Sequence, residues 1–168
     1  FLRCLRQGQW KKHRHHAISC VMVHIDHFEK LNVQYGHDIG DVVLKAIANT
    51  ITEHCNADQV AVRWGTQQIL ILKSAAAWLD EWLWAEALRH RIETMVVTAD
   101  DIPLKVTASI GVGRCRSRDF SWKSVKQADE ALSLAKDQGR NVVCTSHMAT
   151  VARTLNKVAH QTSLTCEE

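Results

Sequence analysis

Residues 61–72 read AVRWGTQQILIL, two apolar runs separated by a single Gly-Thr pair. Runs of β-branched and other apolar residues on both sides of a short, glycine-containing break are typical of a β-hairpin. We therefore predict strands over residues 59–64 and 67–73, joined by a tight turn. The residues that follow the break, Gln67 and Gln68, are neutral amides at the mouth of this hairpin, and their presence there needs an explanation.

Strands and helices alternate along the rest of the chain. Residues 17–25 are a short, β-branched apolar run that fits a buried central strand. Val43, Ile47 and Ile51 recur at four-residue spacing, which predicts an amphipathic helix. This amphipathic helix is predicted over residues 38–54. The further predicted elements are a helix over residues 76–96, a strand over 105–112, a helix over 124–138 and a strand over 141–144.

The order of these elements indicates the fold class. The first six, strand-helix-strand-strand-helix-strand, match the split β-α-β arrangement of a ferredoxin-like palm. We therefore predict an α/β (α+β) fold in which helices flank a central, mainly antiparallel, five-stranded sheet. The three tryptophans of the helix over 76–96 favour a core role, with a docking surface as the alternative. Palms of this type serve many tasks, so the fold alone leaves the function open.

The composition is that of one ordinary globular domain. A length of 168 residues supports a single core, and 46% hydrophobic with 23% charged residues excludes a wholly disordered chain. The formal charge of +3 is slight, and we interpret the basic run KKHRHH at residues 11–16 as a solvated helix end. No nucleic-acid partner is therefore predicted. No apolar run reaches the ~18 residues that a membrane-spanning helix needs.

Cysteines and histidines do not follow disulfide-forming or metal-binding patterns. The six cysteines are scattered singly without a CxxC pair, which indicates a reducing compartment, and the ten histidines form no spaced His/Cys quartet. The chain begins in mid-pattern without an initiating Met. We therefore expect a piece of a longer protein, with a domain over residues 1–146 and a linker or C-terminal tail over residues 147–168.

Four segments, in this order, resemble one family. They are HIDHFEKLNVQYGHDIGDVVL at residues 24–44, VRWGTQQILIL at 62–72, VTASIGVG at 106–113 and ADEALSLAKDQGRNVV at 128–143. They are similar to the GGDEF domain of bacterial diguanylate cyclases. The resemblance implies a nucleotidyl cyclase palm, whose active members join two GTP molecules into cyclic di-GMP with the help of two Mg²⁺ ions. The family's opening segment is expected just before Phe1, so the N-terminal edge of the domain is missing.

The resemblance also implies that the acidic residues of the active site are replaced. It places His24 and Gln67 where metal-binding carboxylates belong, and Gln68 where the catalytic glutamate belongs. Hard divalent cations prefer carboxylate oxygen, and an amide has no charge and takes no proton near neutral pH. Glu29 replaces a lysine that faces the triphosphate. We therefore predict a degenerate, inactive member with no catalytic residue, no metal site and no bound cofactor.

Four other positions keep residue types that suit a nucleotide. The resemblance places Asn32 and Asp41 against the edge of guanine, and Lys136 and Arg140 against the phosphates. These are the candidate nucleotide-binding residues. The alternative, in which Asn32 and Asp41 bond the local backbone and Arg140 pairs with an acid, stays open.

Three functions are compatible with these observations. The first is a regulatory or protein-interaction module in bacterial cyclic di-GMP signalling, whose partner is another protein, a flanking sensor, EAL or membrane segment, or a second copy in a homodimer. The second is an allosteric module that binds GTP or another guanine nucleotide. The third is a residual diguanylate cyclase in which His24 and Asp26 hold a softer metal. In each case we expect a cytoplasmic domain, either free or attached to an inner-membrane protein.

Overall fold

The computed structural model describes residues 17–57, 59–114 and 122–154. The elements in chain order are β1 (Ile18–Ile25), α1 (Phe28–Tyr35), α2 (His37–His54), β2 (Val60–Arg63), β3 (Gln68–Ser74), α3 (Trp78–Thr94), β4 (Val97–Ala99), β5 (Ile102–Leu104), β6 (Ala108–Arg114), α4 (Trp122–Asp137) and β7 (Val143–Thr145). The basic run at residues 11–16 lies outside the described residues.

A five-stranded sheet in the order β2-β3-β1-β6-β7 forms the centre of the fold. All neighbouring pairs are antiparallel except β6 and β7, which are parallel. The central strand is β1, and every residue of it except His24 is buried, which explains why its sequence is mostly apolar. The predicted fold class, with a mainly antiparallel five-stranded sheet flanked by helices, is confirmed.

Helices cover both faces of this sheet, and alternate residues of β1 reach the two layers. Val21 and Val23 pack in a large core with the apolar faces of α2 and α3. Cys20 and Met22 point to the opposite face, where they pack with Leu132 and its neighbours on α4. The period of two along the strand therefore divides one apolar run between two cores.

Two glycines on β6 allow α4 to lie unusually close to the sheet. A Cβ atom added at Gly111 would overlap the carbonyl oxygen of Ala128, and one at Gly113 would overlap the carbonyl oxygen of Ser124. Because both obstacles are helix backbone, they cannot move aside as a flexible side chain would. The VTASIGVG segment is therefore shaped for close helix-sheet packing.

Three parts of the structure differ from the sequence prediction. The segment before α2 is a separate helix, α1, and Gly36, with φ of 86°, divides the two helices. The helix predicted over residues 76–96 ends at Thr94, because the chain turns into a second, two-stranded sheet formed by β4 and β5. The strand predicted over residues 105–112 begins later, at Ala108.

The tryptophans of α3 belong largely to the core. Trp78, Trp82 and Trp84 are half-buried and pack against the core on the α2 side of the sheet. The large apolar side chains of α3 that are exposed to solvent are instead Leu79 and Leu83, which are 66% and 51% exposed. The core role predicted for the tryptophans therefore agrees with the structure.

Beyond β7 the chain continues as a helical segment over residues 146–154. Ala149 of this segment is buried, and Arg153 forms an ion pair of 2.8 Å with Glu130 of α4. The division of the chain at residue 146 stays a prediction, although the first nine residues after β7 pack on the domain. None of the described helices is both long and apolar enough to cross a membrane.

Candidate functional site

Asp26 follows β1 directly, and its carboxylate is fully used inside the fold. The side chain is 5% exposed. Ser109 Oγ donates to one carboxylate oxygen at 2.7 Å, while Thr107 Oγ1 and the backbone amide of Asn141 donate to the other at 2.8 and 3.0 Å. Three donors leave little capacity for another ligand. Asp26 therefore ties the end of β1 to β6 and to the turn after α4.

His24 lies at the same end of β1, opposite Gln68 in the antiparallel pairing with β3. Its Nδ1 atom is buried and has no hydrogen-bond partner among the described residues. Burial lowers the pKa of His24, and the positive charges of Lys136 and Arg140 lower that pKa further against the opposing effect of Asp26. The imidazole is therefore held in its neutral form.

The turn of the hairpin is held by the protein's own side chains. Arg63 Nε and Nη2 donate to the carbonyl oxygens of Gly65 and Thr66 at 3.1 and 2.9 Å. The ring of Trp64 packs on that of Trp122 of α4, with 5.6 Å between centroids. These contacts give the turn a defined shape.

Gln67 connects this turn to α1. The side-chain amide of Gln67 donates to the carboxylate of Glu29 at 3.2 Å, and the backbone carbonyl oxygen of Gln67 accepts from the Ile25 backbone amide at 3.1 Å. An amide at this position can satisfy the neighbouring carboxylate, whereas a second carboxylate would repel it. Gln67 and Glu29 are thus mutually compatible replacements.

Lys136 and Arg140 reach the site from the end of α4. Lys136 occupies the last turn of the helix, and Arg140 follows it with φ of 68°, next to Gly139 with φ of 104°. Both charges act on His24, so the structure brings these two predicted residues to the end of β1. Neither side chain forms an ion pair with any residue that the structure describes.

Asn32 and Asp41 lie on neighbouring helices, α1 and α2. Asn32 Oδ1 is buried without a hydrogen-bond partner in the described ranges, and it sits where a side chain on Gly40 would be. Asp41 is exposed and lines a cavity of about 210 Å³ between α2 and the hairpin, together with Arg63 and Gln68. The structure therefore shows an unsatisfied amide oxygen on α1, and on α2 a carboxylate that lines the cavity beside the hairpin.

One network at this end of the sheet was missed by the sequence prediction. Asn141 Nδ2 donates to Glu93 of α3 at 2.7 Å, and Arg89 Nη1 donates to Asn141 Oδ1 at 2.9 Å. Hydrogen bonds from Arg89 and then Asn141 lower the pKa of Glu93 to about 2. The sequence QGRN at residues 138–141, directly after α4, was the available signal for the turn that positions Asn141. It combines a helix-ending glycine with an Asn that tolerates positive φ.

The donor set at the hairpin does not fit a pair of hard divalent cations. Gln67 and Gln68 offer neutral amide oxygens, His24 offers one imidazole nitrogen, and the carboxylate of Asp26 is already bonded by three donors. Among the described residues, no three His, Cys, Asp or Glu side chains are grouped to hold a metal ion. Of the charges that act on His24, Asp26 and Glu29 are negative, whereas Lys136 and Arg140 are cations that form no ion pair in the described ranges and suit an anion.

Comparison with known proteins identifies the family of the domain. The family described as "Diguanylate cyclase, GGDEF domain" matches residues 2–142. The chain is 33% identical over 131 residues, or 77% of its length, to diguanylate cyclase A of Treponema denticola, and 33% identical over 129 residues, or 75% of its length, to the response regulator PleD of Caulobacter vibrioides. These segments are 35% and 28% of the two proteins, so the chain spans about a third of the length of these relatives.

A solved structure gives the same result. The diguanylate cyclase SiaD of Pseudomonas aeruginosa, in complex with its activator SiaC, superposes with a TM-score of 0.74 and 28% identity, covering 82% of this chain and 55% of that one. The helices, the sheet order and the hairpin described above are therefore those of a known domain type. The chain belongs to the GGDEF domain family of the diguanylate cyclases.

Proposed function

We propose that this domain does not synthesise cyclic di-GMP and acts as a regulatory, protein-interacting module in cyclic di-GMP signalling. One observation carries the proposal: the positions where the family resemblance puts acids hold His24, Gln67 and Gln68, within a hairpin that keeps a defined shape. The 3.2 Å hydrogen bond from Gln67 to Glu29 supports it, because it uses the amide for a contact inside the protein. The fold is kept while the groups that bind metal and move protons are lost.

Such a module would act by contact with another protein. SiaD, which this chain resembles, has been solved in complex with its activator SiaC. By analogy, we propose that the partner here is a separate protein, a flanking sensor, EAL or membrane segment, or a second copy of the chain. A cytoplasmic location is part of the same proposal.

The direct test is an activity assay. The complete chain is incubated with GTP and with Mg²⁺ or Mn²⁺, and the products are separated by chromatography. We expect no cyclic di-GMP above a control without protein. Any enzyme-dependent cyclic di-GMP would overturn the proposal.

A restored site provides the matched control. The variant carrying His24→Asp, Glu29→Lys, Thr66→Gly, Gln67→Asp and Gln68→Glu regains the family's acids on the same backbone. We expect this variant, unlike the native chain, to bind GTP in a Mg²⁺-dependent manner in calorimetry. Equal Mg²⁺ dependence in both proteins would show that the acid replacements are not what separates this chain from active relatives.

A second candidate function is metal-independent binding of a guanine nucleotide. It is favoured by two unpaired cations, Lys136 and Arg140, next to the neutral His24, and by the unsatisfied Oδ1 of Asn32. Titration with GTP in the presence of EDTA tests it. Binding that is weakened by Arg140→Gln supports an allosteric nucleotide site, and absence of heat at millimolar GTP removes this function.

A further inference from the structure

A second cleft lies beside α1, apart from the hairpin turn and from α4. One wall is formed by Lys30 and Gln34 of α1 and by His27, which precedes the helix. These three residues are spaced so that they lie on one face of the helix. The other wall is the segment between β5 and β6, which contributes Lys105. The cleft has a volume of about 470 Å³, within the range of pockets that hold small organic ligands.

The cleft carries a net positive charge, and the ammonium groups of its two lysines are unused. Lys30 and Lys105 are exposed, and neither makes a hydrogen bond or ion pair with any described residue. The one acid that lines the cleft is Asp26, whose carboxylate already accepts three hydrogen bonds at 2.7, 2.8 and 3.0 Å. The two lysine ammonium groups outnumber the one carboxylate that lines the cleft, and lysine ammonium is a suitable point charge for phosphate.

The floor of the cleft is apolar. Leu31 and Tyr35, from the inner side of α1, and Val106, just before β6, pack against the main core while also lining the cleft. A half-buried tyrosine ring next to aliphatic side chains offers a surface for a planar group. A ligand that fits both parts of this cleft carries an anionic group at one end and a flat apolar group at the other.

We propose that the cleft between α1 and the β5–β6 segment binds a small phosphorylated ligand that also carries a planar group. Lys30 and Lys105 hold the phosphate, and Tyr35 contacts the planar group. This site shares no lysine or arginine with the candidate nucleotide site, and the inference does not depend on the proposed function.

Phenyl phosphate and inorganic phosphate are the two probes, and the complete chain is titrated with each while backbone amide shifts are followed by NMR. We expect saturable shifts concentrated at residues 27–35 and 103–107. Phenyl phosphate should bind several times more tightly than phosphate, because the ring adds a contact with Tyr35. Lys30→Gln and Lys105→Gln should each weaken phenyl phosphate binding by about fivefold.

Two further variants make the test specific. Lys126→Gln removes an exposed lysine of α4, on the other face of the sheet, and should leave binding unchanged. Tyr35→Leu keeps an apolar side chain but should bring the affinities for the two probes together. A small fragment is expected to bind with a Kd of ~1 mM, so the titration extends to a probe concentration of about 20 mM. The proposal is overturned if the shifts do not saturate by that concentration or if they map to residues outside the cleft. It is also overturned if Lys126→Gln weakens binding as much as Lys30→Gln.

Discussion

Asp26 and Asn141, 115 residues apart in the chain, are joined by a 3.0 Å hydrogen bond from the Asn141 backbone amide to the Asp26 carboxylate. The same carboxylate accepts from Thr107 and Ser109, so one buried acid joins β1, β6 and the turn after α4. The acid that was considered, together with His24, as a ligand for a softer metal is thus part of the structural framework. Its removal tests this structural role.

Asp26→Ala should destabilise the fold strongly. It leaves three donors unsatisfied in a buried place, and we expect a loss of about 3 kcal/mol in the free energy of unfolding. Urea denaturation measures it. Asp129→Ala, at an exposed position of α4, is the control and should change stability by less than about 0.5 kcal/mol. Similar values for the two variants would contradict the structural role.

The contact between Gln67 and Glu29 should appear in a double-mutant cycle. Gln67→Glu places two carboxylates together, and we expect a small destabilisation of about 0.5 kcal/mol because both groups are exposed. Adding Glu29→Lys should reverse it by forming an ion pair. Equal effects of Gln67→Glu in the two backgrounds would mean that these side chains do not interact in solution.

Glycines of the same protein should differ sharply in their tolerance of a methyl group. Gly111→Ala would push a Cβ atom into the backbone of α4, and we expect a cost of about 2 kcal/mol or more. At Gly65 the nearest atom to an added Cβ is Gln68 Oε1 at 3.5 Å, an ordinary contact. Thermal unfolding should therefore show a much lower Tm for Gly111→Ala than for Gly65→Ala, and a reversed order would be incompatible with the packing of β6 on α4.

The pKa values of two histidines, His24 and His54, should be lower in the folded protein than in the unfolded chain. Burial is the largest cause that lowers the pKa values of His24 and His54 below 6.5. The unfolded chain therefore takes up protons first, so the stability that the neutral rings confer is complete above pH 6.5 and is lost as the pH falls through their folded-state values. Imidazole NMR signals, followed with and without urea, should show lower midpoints in the folded protein. Midpoints at or above 6.5 for both rings would contradict their burial.

The sequence was most informative where burial imposes a simple pattern. The apolar run of β1 and the four-residue spacing of α2 predicted elements that the structure confirms to within about two residues. It was least informative for α1, because this helix has only eight residues and its apolar side, Phe28, Leu31 and Tyr35, is too short to show a repeating pattern. The three-residue strands β4 and β5 are likewise too short to show an alternating pattern.

The candidate site shows the same division. Residue types at His24, Gln67 and Gln68 could be interpreted from the family resemblance because they lie within conspicuous segments. The hydrogen bonds that Asp26 accepts could not be predicted from the sequence, because its partners Thr107 and Asn141 are 81 and 115 residues away. Long-range hydrogen bonds of this kind depend on how the strands are arranged in space, and no local pattern encodes them.

The two bare positions of β6, Gly111 and Gly113, also set how near the cationic end of α4 comes to the end of β1. Because neither residue has a side chain, the backbone of α4 packs directly on the backbone of β6. A side chain at either position would push α4 away from the sheet and move Lys136 and Arg140 away from His24, so the charge at the end of β1 depends on residues that carry no charge themselves.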